Sequence, residues 1–112
     1  MRKVKILVVE DEIIIADDIA DTLEDLGYEV LGPVISYSAA IPLIEEEMPD
    51  LALLDLQLSG RKSGIDLGLK INETYQFPFI FLTSNSDKAT LEEAKKVEPS
   101  AYLLKPYSKE EL

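Results

Sequence analysis

The sequence predicts an α/β domain in which a parallel sheet is covered by helices on both faces. Two observations carry that prediction. Five short apolar runs recur along the 112 residues, and segments of helical character separate them. The first and third runs are apolar nearly throughout, as strands buried on both faces require.

Val4-Lys5-Ile6-Leu7-Val8-Val9 is a β-branched run bounded by charge and reads as a buried first strand. Ile15, Ile19, Leu23 and Leu26 follow at helical spacing, with Asp17, Asp18, Asp21 and Asp25 between them, and Gly27 marks the stop. Glu29 to Ile35 is a second strand, which Gly32-Pro33 demotes to a sheet edge. Ser38 to Met48 is a second helix, with Pro42 expected near its first turn, where a missing N–H is tolerated. Asp50 to Asp55 is the third strand, apolar until it ends in an acid. A loop from Gln57 to Ser63 leads to a helix from about Gly64 to Tyr75. Phe79 to Thr83 is the fourth strand, introduced by Pro78. Ser86 to Val97 is the fourth helix, with Leu91 and Ala94 towards the sheet, and Ala101 to Leu104 is a short fifth strand. Ser108-Lys109-Glu110-Glu111 is a capping pattern that opens a last helix, cut off at Leu112. Residues 1–112 thus read as one domain, the final helix only begun at about 108–112, with no internal repeat and no linker.

Composition excludes several functions. Hydrophobic residues are 46% and charged residues 29%, the profile of a soluble globular domain, and no apolar run is long enough to span a bilayer. The amino terminus does not resemble a signal peptide, and with no cysteine a reducing cytoplasm is expected. A net charge of −11 argues against nucleic-acid binding by this segment. There is no histidine, which removes most zinc sites and all Ser-His-Asp and Cys-His chemistry. Carboxylates, hydroxyls and lysine must do whatever chemistry there is.

Ligands of open parallel sheets sit beyond the carboxyl ends of the strands. There the first strand delivers Glu10-Asp11, the third Asp55, the fourth Thr83-Ser84 and the fifth Lys105-Pro106. Taken alone, Asp11 reads first as a helix N-cap, Thr83 as a strand-end hydroxyl and Lys105 as a surface lysine. Asp55 is different, because an acid that ends a buried strand is costly unless a cation compensates it. Three carboxylates without histidine form a hard oxygen site that suits magnesium, or manganese, over zinc. Lys105 and Thr83 nearby fit an additional anionic ligand, and a phosphoryl group is the natural candidate. Asp55 would then be the nucleophile that forms an acyl phosphate.

In this ordered set the chain resembles the receiver domains of two-component response regulators. The resemblance runs from Lys3 through Glu10-Asp11, Asp55 and Thr83 to Tyr102-Leu103-Leu104-Lys105-Pro106. It implies a flavodoxin-like, doubly wound sandwich whose five parallel strands lie in the order 2-1-3-4-5. It implies that Asp55 is the phosphorylation site and that Asp11 is a direct magnesium ligand. Glu10 would bind the ion through water, and the Gln57 backbone carbonyl would be a further ligand. Lys105 would pair with the phosphoryl group, before a cis peptide to Pro106. Thr83 is the implied switch hydroxyl, and Tyr102 the aromatic that turns inward with it; the plainer reading of Tyr102 is a strand aromatic packed at an edge. Ser59 and Ser84 stand where the family often has proline and alanine, and the loop to Gly64 is slightly longer than in many members. Gln57 and Asn85 stand at the two positions that, by this resemblance, would tune acyl-phosphate lifetime, and neither is acidic.

The implied partners are a histidine kinase or a histidine phosphotransfer protein. An effector domain beyond Leu112, or a homodimer through the fourth helix, fifth strand and last helix, would carry the output. Enzymatic activity would be limited to self-catalysed phosphoryl transfer and autodephosphorylation. Three other readings compete. A haloacid-dehalogenase-like phosphohydrolase needs a second acid where Gln57 stands, and an amide cannot shuttle the proton. A flavodoxin-like cofactor binder would want glycines and hydroxyls where Glu10-Asp11-Glu12 would repel a phosphate. The third is a pseudo-receiver that is never phosphorylated.

Overall fold

The computed structural model describes residues 3–56, 58, 62–83 and 101–104, with Thr83 and Ala101–Leu104 described by their backbone. Five strands form one sheet: β1 Lys5–Val9, β2 Glu29–Val34, β3 Leu51–Asp55, β4 Phe79–Thr83 and β5 Ala101–Leu104. All neighbours are parallel and the order is β2-β1-β3-β4-β5, the doubly wound arrangement expected. The described helices are α1 Ile13–Asp25, α2 Tyr37–Glu47 and α3 Gly64–Lys70, the last running on into a π turn at Ile71–Tyr75. The fourth helix and the last helix expected from the sequence lie outside the described residues.

The strands are apolar on consecutive residues because the sheet has two covered faces. Leu7, Val9, Ala52 and Leu54 point one way and pack with Ile44 of α2 and Leu67 of α3. Ile6, Val8 and Leu53 point the other way and pack with Ile19 and Leu23 of α1. On the first face, Phe79 and Phe81 meet edge to face with ring centres 5.3 Å apart.

Polar contacts fix the ends of these elements. Asp50 clamps the start of β1 to β3, its Oδ2 accepting from the Lys5 N–H at 2.8 Å while its own N–H donates to the Lys5 carbonyl at 2.9 Å. α1 closes on a Schellman turn. Tyr28 N–H reaches the Leu23 carbonyl and Gly27 N–H the Glu24 carbonyl, with Gly27 at φ +96°, so the expected stop is a left-handed glycine. Leu26 falls on that turn, is 44% exposed, and leaves the buried stripe to Ala16, Ile19, Ala20 and Leu23. β2 is an edge strand as expected. Its register with β1 shifts between Leu7 and Val9, and the Gly32–Pro33 peptide is cis.

α2 departs from expectation at its start. Ser36 caps it, accepting from the Ala39 N–H at 3.1 Å, so the helix begins at Tyr37 and Pro42 falls in its second turn. Pro42 therefore has no N–H to give to the Ser38 carbonyl, a loss that the buried Ala40 and Ile44 offset through packing.

Tyr75 ties the π turn to α2, its hydroxyl donating to Glu45 Oε2 at 2.9 Å. Burial, and then the Glu45 carboxylate beside it, raise the Tyr75 phenol above its ordinary value of 10.0. A phenol whose pKa is raised by folding stabilises the fold fully below the unfolded value. That contribution disappears as pH rises through the folded value. Tyr75→Phe is expected to flatten the alkaline fall of urea midpoints measured from neutral pH to about pH 11. Parallel falls in both proteins would rule out this role for Tyr75. No described helix is long and apolar enough to cross a membrane.

Candidate functional site

The site begins where β1 and β3 end side by side. Val9 pairs with Leu54, which brings Glu10 beside Asp55 one step further along the two strands. The Glu10 N–H donates to the Val34 carbonyl at 2.9 Å, holding this residue against β2 after β1 has ended. Asp55 is the last residue of β3 and pairs with Leu82 of β4. The ladders on both sides thus fix the backbone of the two acids. Glu10 is fully buried and Asp55 is 4% exposed, while Asp11 is half-buried.

Ligand oxygens of Glu10, Asp11 and Asp55 lie within 4.8 Å of one another. The N-cap of α1 is Glu12, at φ −85°, and Asp11 is one residue before it. The N-cap position open to Asp11 in the sequence is therefore held by Glu12, whose side chain makes no capping hydrogen bond. Three oxygen donors of one charge type, two of them buried, could hold a metal ion, and their chemistry suits a hard divalent cation such as magnesium better than zinc.

Of the other expected residues, Thr83 ends β4, so its backbone reaches the same edge of the sheet, in register with Leu104. Tyr102 lies in β5, in register with Phe81. Gln57, Lys105 and the Lys105–Pro106 peptide lie outside the described residues. The structure also shows a helix start close to Asp55 that the expectations above leave unused. Ser63 caps α3 in a reciprocal box, Asp66 N–H to Ser63 Oγ at 3.3 Å and Ser63 N–H to Asp66 Oδ2 at 2.8 Å. Its sign in the sequence is Ser63-Gly64-Ile65-Asp66.

Fold and site together define a doubly wound parallel α/β domain with a cluster of three carboxylates at the carboxyl edge of its sheet. Comparison with known proteins gives the particular family. The chain belongs to the response regulator receiver domains, whose family pattern it matches over residues 6–112. It is 35% identical over 104 residues to the transcriptional regulatory protein PdtaR of Mycobacterium tuberculosis, covering 93% of this chain and 50% of that protein. It is 33% identical to the phyllosphere-induced regulator PhyR of Methylorubrum extorquens, covering 92% of this chain and 38% of that one. The chain therefore spans half or less of the length of these curated relatives. Among solved structures, the signal receiver domain of a modulated diguanylate cyclase from Desulfovibrio desulfuricans superimposes with a TM-score of 0.90 at 34% identity, covering 97% of this chain and 86% of that one. The chain is thus a receiver domain of the two-component response regulators.

Proposed function

We propose that this domain accepts a phosphoryl group onto Asp55 from a phosphohistidine of a histidine kinase or a histidine phosphotransfer protein. The observation that carries the proposal is the convergence of Glu10, Asp11 and Asp55 at the ends of two adjacent strands. A carboxylate oxygen of Asp55 attacks phosphorus, the phosphorus–nitrogen bond breaks, and its electron pair leaves with the imidazole. The product is an acyl phosphate on Asp55. Glu10, Asp11, Asp55 and the Gln57 carbonyl are the residues that would hold magnesium, or manganese in its place. When bound, the ion supplies positive charge that offsets the charge on the transferring oxygens.

Lys105 would pair with the phosphoryl group once it is on Asp55, and the Thr83 hydroxyl would donate to it. Tyr102 would then turn into the space that Thr83 leaves. The rest of the reading is a cytoplasmic domain whose only catalysis is its own phosphoryl transfer and autodephosphorylation. Its output passes to an effector beyond Leu112, or through a homodimer that uses the fourth helix, fifth strand and last helix.

Labelling with acetyl phosphate tests this reading. Intact mass should show one added phosphoryl group on the wild type, dependent on magnesium, and none on Asp55→Asn. Equal labelling of both proteins would sink the assignment of the acceptor.

A further inference from the structure

Gly64 is the first residue of α3, and its backbone lies against that of Asp55. A methyl group built at Gly64 would overlap the Asp55 carbonyl oxygen, and it would stand 2.8 Å from the carbonyl carbon and 3.1 Å from the Leu56 Cα. None of these atoms is the far end of a flexible side chain. All belong to the main chain at the end of β3, so any relief must move the strand end that carries the acceptor. Gly64 is itself buried, and its N–H donates to the Leu56 carbonyl at 3.0 Å.

Two further contacts keep the helix start and the strand end from drifting apart. The Ser63–Asp66 box fixes where α3 begins, and the Leu56 N–H donates across to the Leu82 carbonyl of β4 at 3.4 Å. The space between Asp55 and α3 is therefore set at one hydrogen atom on the Gly64 Cα. We infer that Gly64 is a positioning residue for Asp55: the absence of a side chain there lets α3 seat the β3 end where its carboxylate meets those of Glu10 and Asp11. This rests on the reading of Asp55 as the phosphoryl acceptor. A displacement on the order of 1 Å at a reacting group is enough to cost up to a hundredfold in rate.

Gly68, one turn later, supplies the matched control. A methyl there would meet ring atoms of Phe79 and Phe81 at 2.9 Å, so Gly68→Ala disturbs the same helix through the core and not through Asp55. The experiment compares wild type, Gly64→Ala and Gly68→Ala, each well below its own melting temperature. The readouts are magnesium affinity, by titration with the ion alone, and the rate of labelling by acetyl phosphate at saturating magnesium. Gly64→Ala should lose about tenfold or more in at least one of these, whereas Gly68→Ala should stay within about twofold in both. Wild-type values in Gly64→Ala, or equal losses in the two variants, would overturn the inference.

Should Gly64→Ala fail to fold, amide hydrogen exchange on the wild type decides the matter. Coupling between Asp55 and Gly64 is reciprocal, so magnesium must slow exchange of the Gly64 amide by a larger factor than that of the Gly68 amide, which reports the general stabilisation of the fold. Equal slowing of the two amides, or unchanged exchange at Gly64, would refute the coupling. Failure of the underlying reading looks different, since the wild type itself would then take no label.

Discussion

Asp55→Asn is expected to raise the melting temperature of the magnesium-free protein while removing most of the stabilisation that magnesium gives. The first effect follows from placing three carboxylates with ligand oxygens within 4.8 Å of one another, two of them buried. At that separation two unit charges repel by roughly 3 kcal/mol if the effective dielectric constant is about 20. An amide of nearly the same shape removes one charge from two such pairs. A net gain of about 1–3 kcal/mol is expected, or about 4–8 °C per kcal/mol for a domain near this size. The second effect has the opposite sign. An ion that binds only the folded state stabilises by about 2.7 kcal/mol at a hundredfold excess over its Kd. The variant, having lost one anionic ligand, should gain far less than that. Thermal melts of both proteins with and without magnesium chloride measure all four values. A variant that melts below the wild type in the absence of magnesium would contradict the repulsion argument.

Phe81→Ala should be the most damaging single truncation in the described core. The ring is fully buried, meets Phe79 edge to face, and lies close against Gly68 of α3. Removing it forfeits the transfer energy of the ring and leaves a cavity between sheet and helix, together about 3–5 kcal/mol. Against a total stability of about 5–15 kcal/mol, that leaves a marginal fold. The urea midpoint should drop sharply with an unchanged slope, because the same surface is exposed on unfolding. A loss below about 1 kcal/mol would mean that α3 collapses onto the sheet without the ring.

Much of this is legible in the amino-acid sequence itself, and physics explains which parts. Strand limits were legible because a strand with both faces covered is a continuous apolar run bounded by charge, as in Leu51–Asp55, which follows Asp50 and ends in Asp55. The acids Glu10, Asp11 and Asp55 were legible because those same ends face the one edge where an open parallel sheet binds ligands. The start of α2 was harder to read. Ser36 and Ser38 are both plausible caps by composition, and only the Ala39 N–H to Ser36 Oγ bond distinguishes them. Pro42 pulled the expected start forward, although packing of Ala40 and Ile44 carries the helix through it. Gly64 was illegible for another reason. A close approach between residues nine positions apart in sequence leaves no periodic trace, and the glycine reads simply as a helix start.

The strand order also bears on how the chain is made. On emergence, β2 adds to one side of β1, and β3, β4 and β5 then add one after another on the other side. No strand has to be inserted between two that are already paired. A ribosome delivering the chain from its amino terminus can therefore extend the sheet outward without opening a finished ladder, one free edge waiting for the next strand. The half of the chain that carries Glu10, Asp11 and Asp55 has all three of its strands by residue 55, whereas the α3 start and the β4 ladder that seat Asp55 come later, so the carboxylate cluster is completed only as those elements are added.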